Sequence, residues 1–100
     1  MNIRFSFVWN DDKAQANEQK HRVTFKEASS VFNTGSDLLT IYDEEHSENE
    51  ERWVTIGFSV SGLLLVIAHT YKVEYGITEI RIISARKATK TETKLYKEQV

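Results

Sequence analysis

At 100 residues, with 40% hydrophobic and 28% charged side chains, the chain has the length and composition of one folded domain spanning residues 1–100, and a disordered chain is excluded. It holds no cysteine, which excludes disulfides and thiolate metal sites, and its longest apolar run, Leu63–Ala68, is far below the ~20 residues that span a bilayer. A net charge of −2, with no apolar signal core behind Arg4, points to a cytoplasmic protein that does not coat nucleic acid indiscriminately.

Ile3, Phe5, Phe7 and Trp9 alternate with Arg4, Ser6 and Val8, the period of a strand with one buried face. Asn10 reads as a helix N-cap, and Asp11 and Asp12 suit the positive end of the helix dipole. That helix runs to about Lys20, with only Ala14 and Ala16 as an apolar face. Thr24 and Glu27 have capping-box spacing, Phe25, Ala28, Val31 and Phe32 follow at helical spacing, and Gly35 ends the segment. A second helix is expected over Phe25–Asn33.

Leu38–Tyr42 reads as a strand, and the acidic stretch Asp43–Glu51 as a loop. Arg52–Phe58 alternates with Val54, Ile56 and Phe58 inward, and Ser59–Gly62 joins it to Leu63–Tyr71, apolar on both faces as a central strand. A turn at Glu74–Gly76 leads to Ile77–Arg86. Thr89 and Glu92 repeat the capping-box spacing, so a last helix spans Lys90–Gln99, docked by Leu95 and Tyr96. Strands joined by short turns pair antiparallel. The order strand, helix, helix, four strands, helix is α+β, with a twisted antiparallel sheet, two N-terminal helices and one C-terminal helix.

Charge is segregated. Asp43–Glu51 is acidic, whereas Arg81, Arg86, Lys87, Lys90, Lys94 and Lys97 meet the single acid Glu92. His69, on the Leu65–Ile67–Tyr71 face, is suited to moving protons near neutral pH or to a half-buried structural place. Arg81 and Arg86 fall on opposite faces of the last strand by parity unless a bulge intervenes, and suit a phosphate or carboxylates such as Glu79 or Glu51. Lys20 and His21 fit a helix C-terminus, and Trp53, beside Arg52, is a packing residue or a stacking platform for bases. His46 reads as solvated, and Asp43, His46 and Glu48 match no metal motif. Basic and imidazole groups without a phosphate-cradling glycine motif or a nucleophile elbow are compatible with metal-independent RNA cleavage by the 2′-hydroxyl, needing no cofactor.

Three stretches, FVWNDDKAQANEQKHRVTFKEASSVF, EERWVTIGFSVSGLLLVIAHTY and IRIISARKATKTETKLY, resemble the BrnT family of type II toxin–antitoxin toxins in order and spacing. The resemblance implies a fold similar to RelE-type ribonuclease toxins and RNA cleavage that arrests translation and growth. It implies a BrnA-like antitoxin with a ribbon–helix–helix DNA-binding part, through which alone operator DNA is reached, and no membrane. The pair Lys20–His21, the run Glu51, Arg52 and Trp53, then His69, Arg81, Arg86, Glu92 and Tyr96 match family motifs. On that basis His69, Arg81, Arg86, Lys20, His21 and Tyr96 are candidate catalytic residues, and Arg52, Trp53, Lys87 and Lys90 candidate RNA contacts. Asn10 follows Trp9 where the family usually has an acid, and Arg22 stands where it often has glycine. The competing readings are a non-catalytic corepressor that only binds an antitoxin, and an RNA-binding module that does not cut.

Overall fold

The computed structural model describes residues 4–100; Ile3, expected in the first strand, lies outside them. Strand β1 (Arg4–Val8) is followed by helices α1 (Asp11–His21) and α2 (Phe25–Ser30), and a 3₁₀ turn over Val31–Asn33. Strands β2 (Leu39–Tyr42), β3 (Trp53–Phe58), β4 (Leu64–Glu74) and β5 (Ile77–Lys87) come next, then helix α3 (Lys90–Gln99). The sheet order is β1-β5-β4-β3-β2. β2 to β5 form antiparallel neighbours as expected, but β1 pairs parallel to β5, so the sheet is mixed. Turn logic could not show this, because β1 reaches β5 from across the whole intervening chain.

Capping residues set the helix starts. Asn10, Thr24 and Thr89 each accept a backbone N–H in the first turn, and Thr89 with Glu92 closes a full capping box. α1 ends on Arg22 at φ 59°, a left-handed position where glycine escapes the Cβ strain. The expected second helix breaks after Ser30 into the 3₁₀ turn. That turn crosses Gly57 so closely that a Cβ there would lie 2.8 Å from Val31. A two-residue turn, Tyr75-Gly76, both with positive φ, joins β4 to β5.

The inner face of the sheet carries α1 and α2 over the larger core. Val23, Phe25, Ala28 and Val31 pack on Leu65, Ile67, Ile80, Ile82 and Ala85 there. On the outer face α3 docks through Tyr96 against Ile56 and Val66, with Phe58 edge-on to its ring. The α3 dock centres on Ile56 and Val66, with Leu39, Val54, Phe58, Leu64 and Ala88 packed beside it.

Asn17 is buried although α1 is otherwise polar. β1 stops at Val8, opposite Arg81, and leaves the edge of β5 beyond it unpaired. The Asn17 carboxamide fills that gap: Ala85 N–H donates to its Oδ1 at 3.0 Å, and its Nδ2 donates to the carbonyls of Ala85 (2.8 Å) and Val23 (3.0 Å). One side chain thus stands in for a strand residue and holds α1 to the sheet.

Glu92 ties α3 to β5. Its carboxylate accepts from both terminal nitrogens of Arg86, at 2.7 and 2.8 Å, and from Thr89 N–H. The hydrogen bonds from Arg86, above all, push its pKa down to about 2 from an ordinary 4.5. Because the folded value is lowered, this stabilisation is complete above about 4.5 and fades as pH falls through that value toward 2. The pair is partly exposed, so about 1 kcal/mol is expected after screening. Urea midpoints measured at pH 6 and pH 3 should show a smaller acid loss in Glu92→Gln than in the parent protein; equal losses would remove Glu92 as the cause.

Candidate active site on the outer sheet face

Ladder register decides which side chains share a face. β4 and β5 slip by one residue at Ala68/His69: Ala68 pairs with Ser84 and His69 with Ile82, leaving Ile83 as the extra residue. Simple alternation would part Arg81 from Arg86. The bulge restores the match, and both arginines, opposite Thr70 and Val66, project from the outer face. Arg52 precedes Trp53 and shares the outward parity of Val54 and Ile56. Three arginines from β5 and the start of β3 therefore line one surface.

Glu50 organises two of them. Its Oε1 accepts from Arg81 Nη2 and lies 3.9 Å from Arg52 Nη2. Arg52 Nε is buried with no hydrogen-bond partner among the described residues, an N–H left without an acceptor beside that pair. The acidic loop that supplies Glu50 is closed on itself. Asp43 N–H donates to the Arg52 carbonyl at 2.9 Å, Ser47 Oγ donates to the Asp43 carbonyl at 2.5 Å, and Arg52 N–H donates to Ser47 Oγ at 3.0 Å. His46 is exposed, as expected, and also has a partner. Its Nδ1 lies 2.9 Å from an Asp43 carboxylate oxygen, and it shares with Asn49, Glu50 and Arg52 an open cleft of about 230 Å³. Parity and motif did not single out Glu50 or His46; the only signal was that both sit in the acidic run ahead of Arg52.

His69 lies on the inner face, as parity predicted, and this separates it from the arginines. It is 2% exposed, with Phe32 edge-on at 5.3 Å. Nε2 is 2.7 Å from Thr55 Oγ1, itself 2.9 Å from Thr40 Oγ1, and Nδ1 faces the Thr70 carbonyl at 3.3 Å. Burial pushes its pKa below the ordinary 6.5, against a smaller opposing pull from the Thr70 carbonyl, so the ring is neutral at pH 7. The expectation that His69, Arg81 and Arg86 surround one phosphate is corrected: the sheet stands between them.

The remaining candidates also separate. Tyr96 is 5% exposed and donates its hydroxyl to the Asp37 carbonyl at 2.6 Å, so it anchors α3 and faces no open surface. Lys20 and His21 end α1, one turn past Asn17, away from the Arg52–Arg81 cluster. Arg86 is engaged by Glu92, not by Glu79 or Glu51. Lys87 ends β5 and the exposed Lys90 begins α3, flanking that pair. Trp53 faces inward, packed between Tyr42 (5.0 Å) and Tyr71 (5.3 Å).

The fold is similar to the crystal structure of the ribonuclease toxin BrnT of Brucella abortus, with a TM-score of 0.55 at 17% identity, over 87% of this chain and 99% of that one. No curated protein sequence matches. Residues 9–92 match the family described as ribonuclease toxin, BrnT, of type II toxin–antitoxin systems, which places the chain among such toxins. It belongs to the BrnT family. Among the described residues no helix is long and apolar enough to cross a membrane.

Proposed function

We propose that the protein is a metal-independent endoribonuclease that holds an RNA phosphodiester on the outer face of its sheet, between Arg52 and Arg81. The observation that carries this reading is the Arg81–Glu50–Arg52 cluster, a carboxylate between two guanidiniums at the mouth of an open cleft. Guanidiniums bind phosphate oxygens in bidentate fashion and offset the charge that builds on phosphorus. Glu50 takes the proton of the ribose 2′-hydroxyl, and the 2′-oxygen attacks the adjacent phosphorus. The P–O5′ bond breaks as the leaving oxygen takes a proton from His46, whose Nδ1 is steadied by Asp43. The products are a 2′,3′-cyclic phosphate and a 5′-hydroxyl end. Lys90, at the start of α3, extends the cationic surface along the RNA backbone, whereas Lys87, opposite Leu65, falls on the inner parity, and Lys20, His21, His69 and Tyr96 take no part in the step.

The same surface suits neutralisation. A BrnA-like ribbon–helix–helix antitoxin that covers Arg52 and Arg81 blocks the substrate site, and operator DNA is reached only through that partner.

The test is purified, antitoxin-free protein incubated with total RNA in EDTA, with the fragment ends mapped. Fragments bearing 5′-hydroxyl ends are expected. Intact RNA from a folded protein, or cleavage that stops in EDTA, would overturn the reading and favour a corepressor, an RNA-binding module or a metal-dependent enzyme.

A further inference from the structure

The inner face holds a feature that this reaction does not use. A groove of about 300 Å³ opens beside His69, bounded by the rings of Phe5, Phe32 and Tyr71 and by the hydroxyls of Thr40 and Thr78. We propose that this groove, with Trp53 and Tyr42 beside it, is a nucleobase-binding subsite for single-stranded RNA; the proposal rests on the ribonuclease reading above.

Three observations point to a base. First, among the described residues no charged side chain lines the groove, so none of them recognises a phosphate there. Aromatic rings and the aliphatic Leu38 and Ile80 wall it, and its polar groups are threonine hydroxyls and the His69 ring, a lining that accepts a flat, uncharged heterocycle and meets its edge. His69 is the polar group of the floor, and its two ring nitrogens are already committed to Thr55 and Thr70. It fixes the Thr55 and Thr40 hydroxyls as a positioning residue.

Second, the aromatic row is open to solvent. Tyr42, Trp53 and Tyr71 come from three adjacent strands with ring centroids 5.0 and 5.3 Å apart, and Tyr42 and Tyr71 are 41% and 42% exposed. Core aromatics would be covered; these offer faces on which bases stack, each base worth about 1–3 kcal/mol.

Third, the groove lies back to back with the phosphate site. Thr70, which pairs with Arg81, sits between His69 and Tyr71 in β4, and Trp53 follows Arg52 directly. The loop from Asp43 to Arg52 joins Tyr42 of β2 to Trp53 of β3 and so forms the rim of this end of the sheet. A strand of RNA crossing that rim places a phosphate on the outer face and a flanking base on the inner one.

The experiment uses the full chain carrying Trp9→Phe, so that Trp53 is the sole tryptophan, titrated with each of AMP, GMP, CMP and UMP. Ribose 5-phosphate serves as the baseless control. At least one nucleotide should quench Trp53 emission and shift the amide resonances of Thr40, Thr55 and Thr78, and the control should do neither. Tyr71→Ala should weaken that nucleotide at least tenfold, and the half-exposed position keeps the variant folded by circular dichroism. Equal responses to ribose 5-phosphate, or none to any nucleotide, would overturn the subsite. Quenching by a bound antitoxin alone, with no response to nucleotides, would also overturn it and make the groove a protein surface. Nucleotide binding needs no turnover: a protein that binds a base but leaves RNA whole keeps the subsite and loses the ribonuclease, and the reverse result loses only the subsite.

Discussion

Replacing Asn17 with alanine is expected to cost about 3–5 kcal/mol of folding stability, enough to lower the melting temperature of a domain this size by some 15 °C or more. The side chain makes three hydrogen bonds, two to Ala85 and one to Val23, at a position 7% exposed. Truncation leaves a buried N–H and two buried carbonyls without partners, and each orphan costs roughly 1–3 kcal/mol, less where water enters. Asn17→Asp keeps the acceptor for Ala85 N–H but sets a carboxylate against two carbonyl oxygens, so it is expected to be as damaging. Glu18→Ala, on the exposed side of the same helix, is the control and should change stability by less than about 0.5 kcal/mol. Urea unfolding followed by circular dichroism checks all three. An Asn17→Ala midpoint within error of the parent's would show that α1 is held by other contacts.

Asn17 also marks where sequence reading stops. Local rules worked wherever the determinant was local. The caps at Asn10, Thr24 and Thr89 placed the start of each of the three α-helices, and alternation placed the strands and the inward side of His69. What they missed depends on partners distant in sequence. Nothing near Asn17 says that it completes a strand edge 68 residues away. Nothing in Ile77–Lys87 announces a bulge at Ile83, because Ile82 and Ile83 are equally acceptable on a pleated strand. That single extra residue moved Arg86 to the face of Arg81, while His69 stayed on the other. The family motifs named residues without saying which of them meet. Glu92 and Tyr96 prove to be the fastening of α3, whereas Glu50, one residue before the Glu51 that carried the motif, lies between the two arginines.

Glu50→Gln is expected to slow RNA cleavage by about 10²–10⁴-fold, the range lost with a general base, while leaving RNA binding as tight or tighter. The two effects run in opposite directions for a physical reason. As a base, the carboxylate is needed in the transition state; as an ion-pair partner, it competes with phosphate for Arg81 and Arg52. Arg81→Ala should reduce both binding and rate, and Arg81→Lys should recover little, because an ammonium cannot offer the guanidinium's paired N–H groups. None of these changes should unfold the domain, since the Arg81 and Glu50 side chains are 45% and 39% exposed and such pairs contribute at most about 1 kcal/mol. Glu79→Gln removes the same charge from β5 without touching the cluster and separates chemistry from net charge. The measurement is single-turnover cleavage of a labelled RNA beside filter binding, at one fixed salt concentration because phosphate contacts weaken as salt rises. If Glu50→Gln cuts faster than the parent, the carboxylate is a competitor of the substrate and not its base, and the 2′-hydroxyl proton must leave by another group.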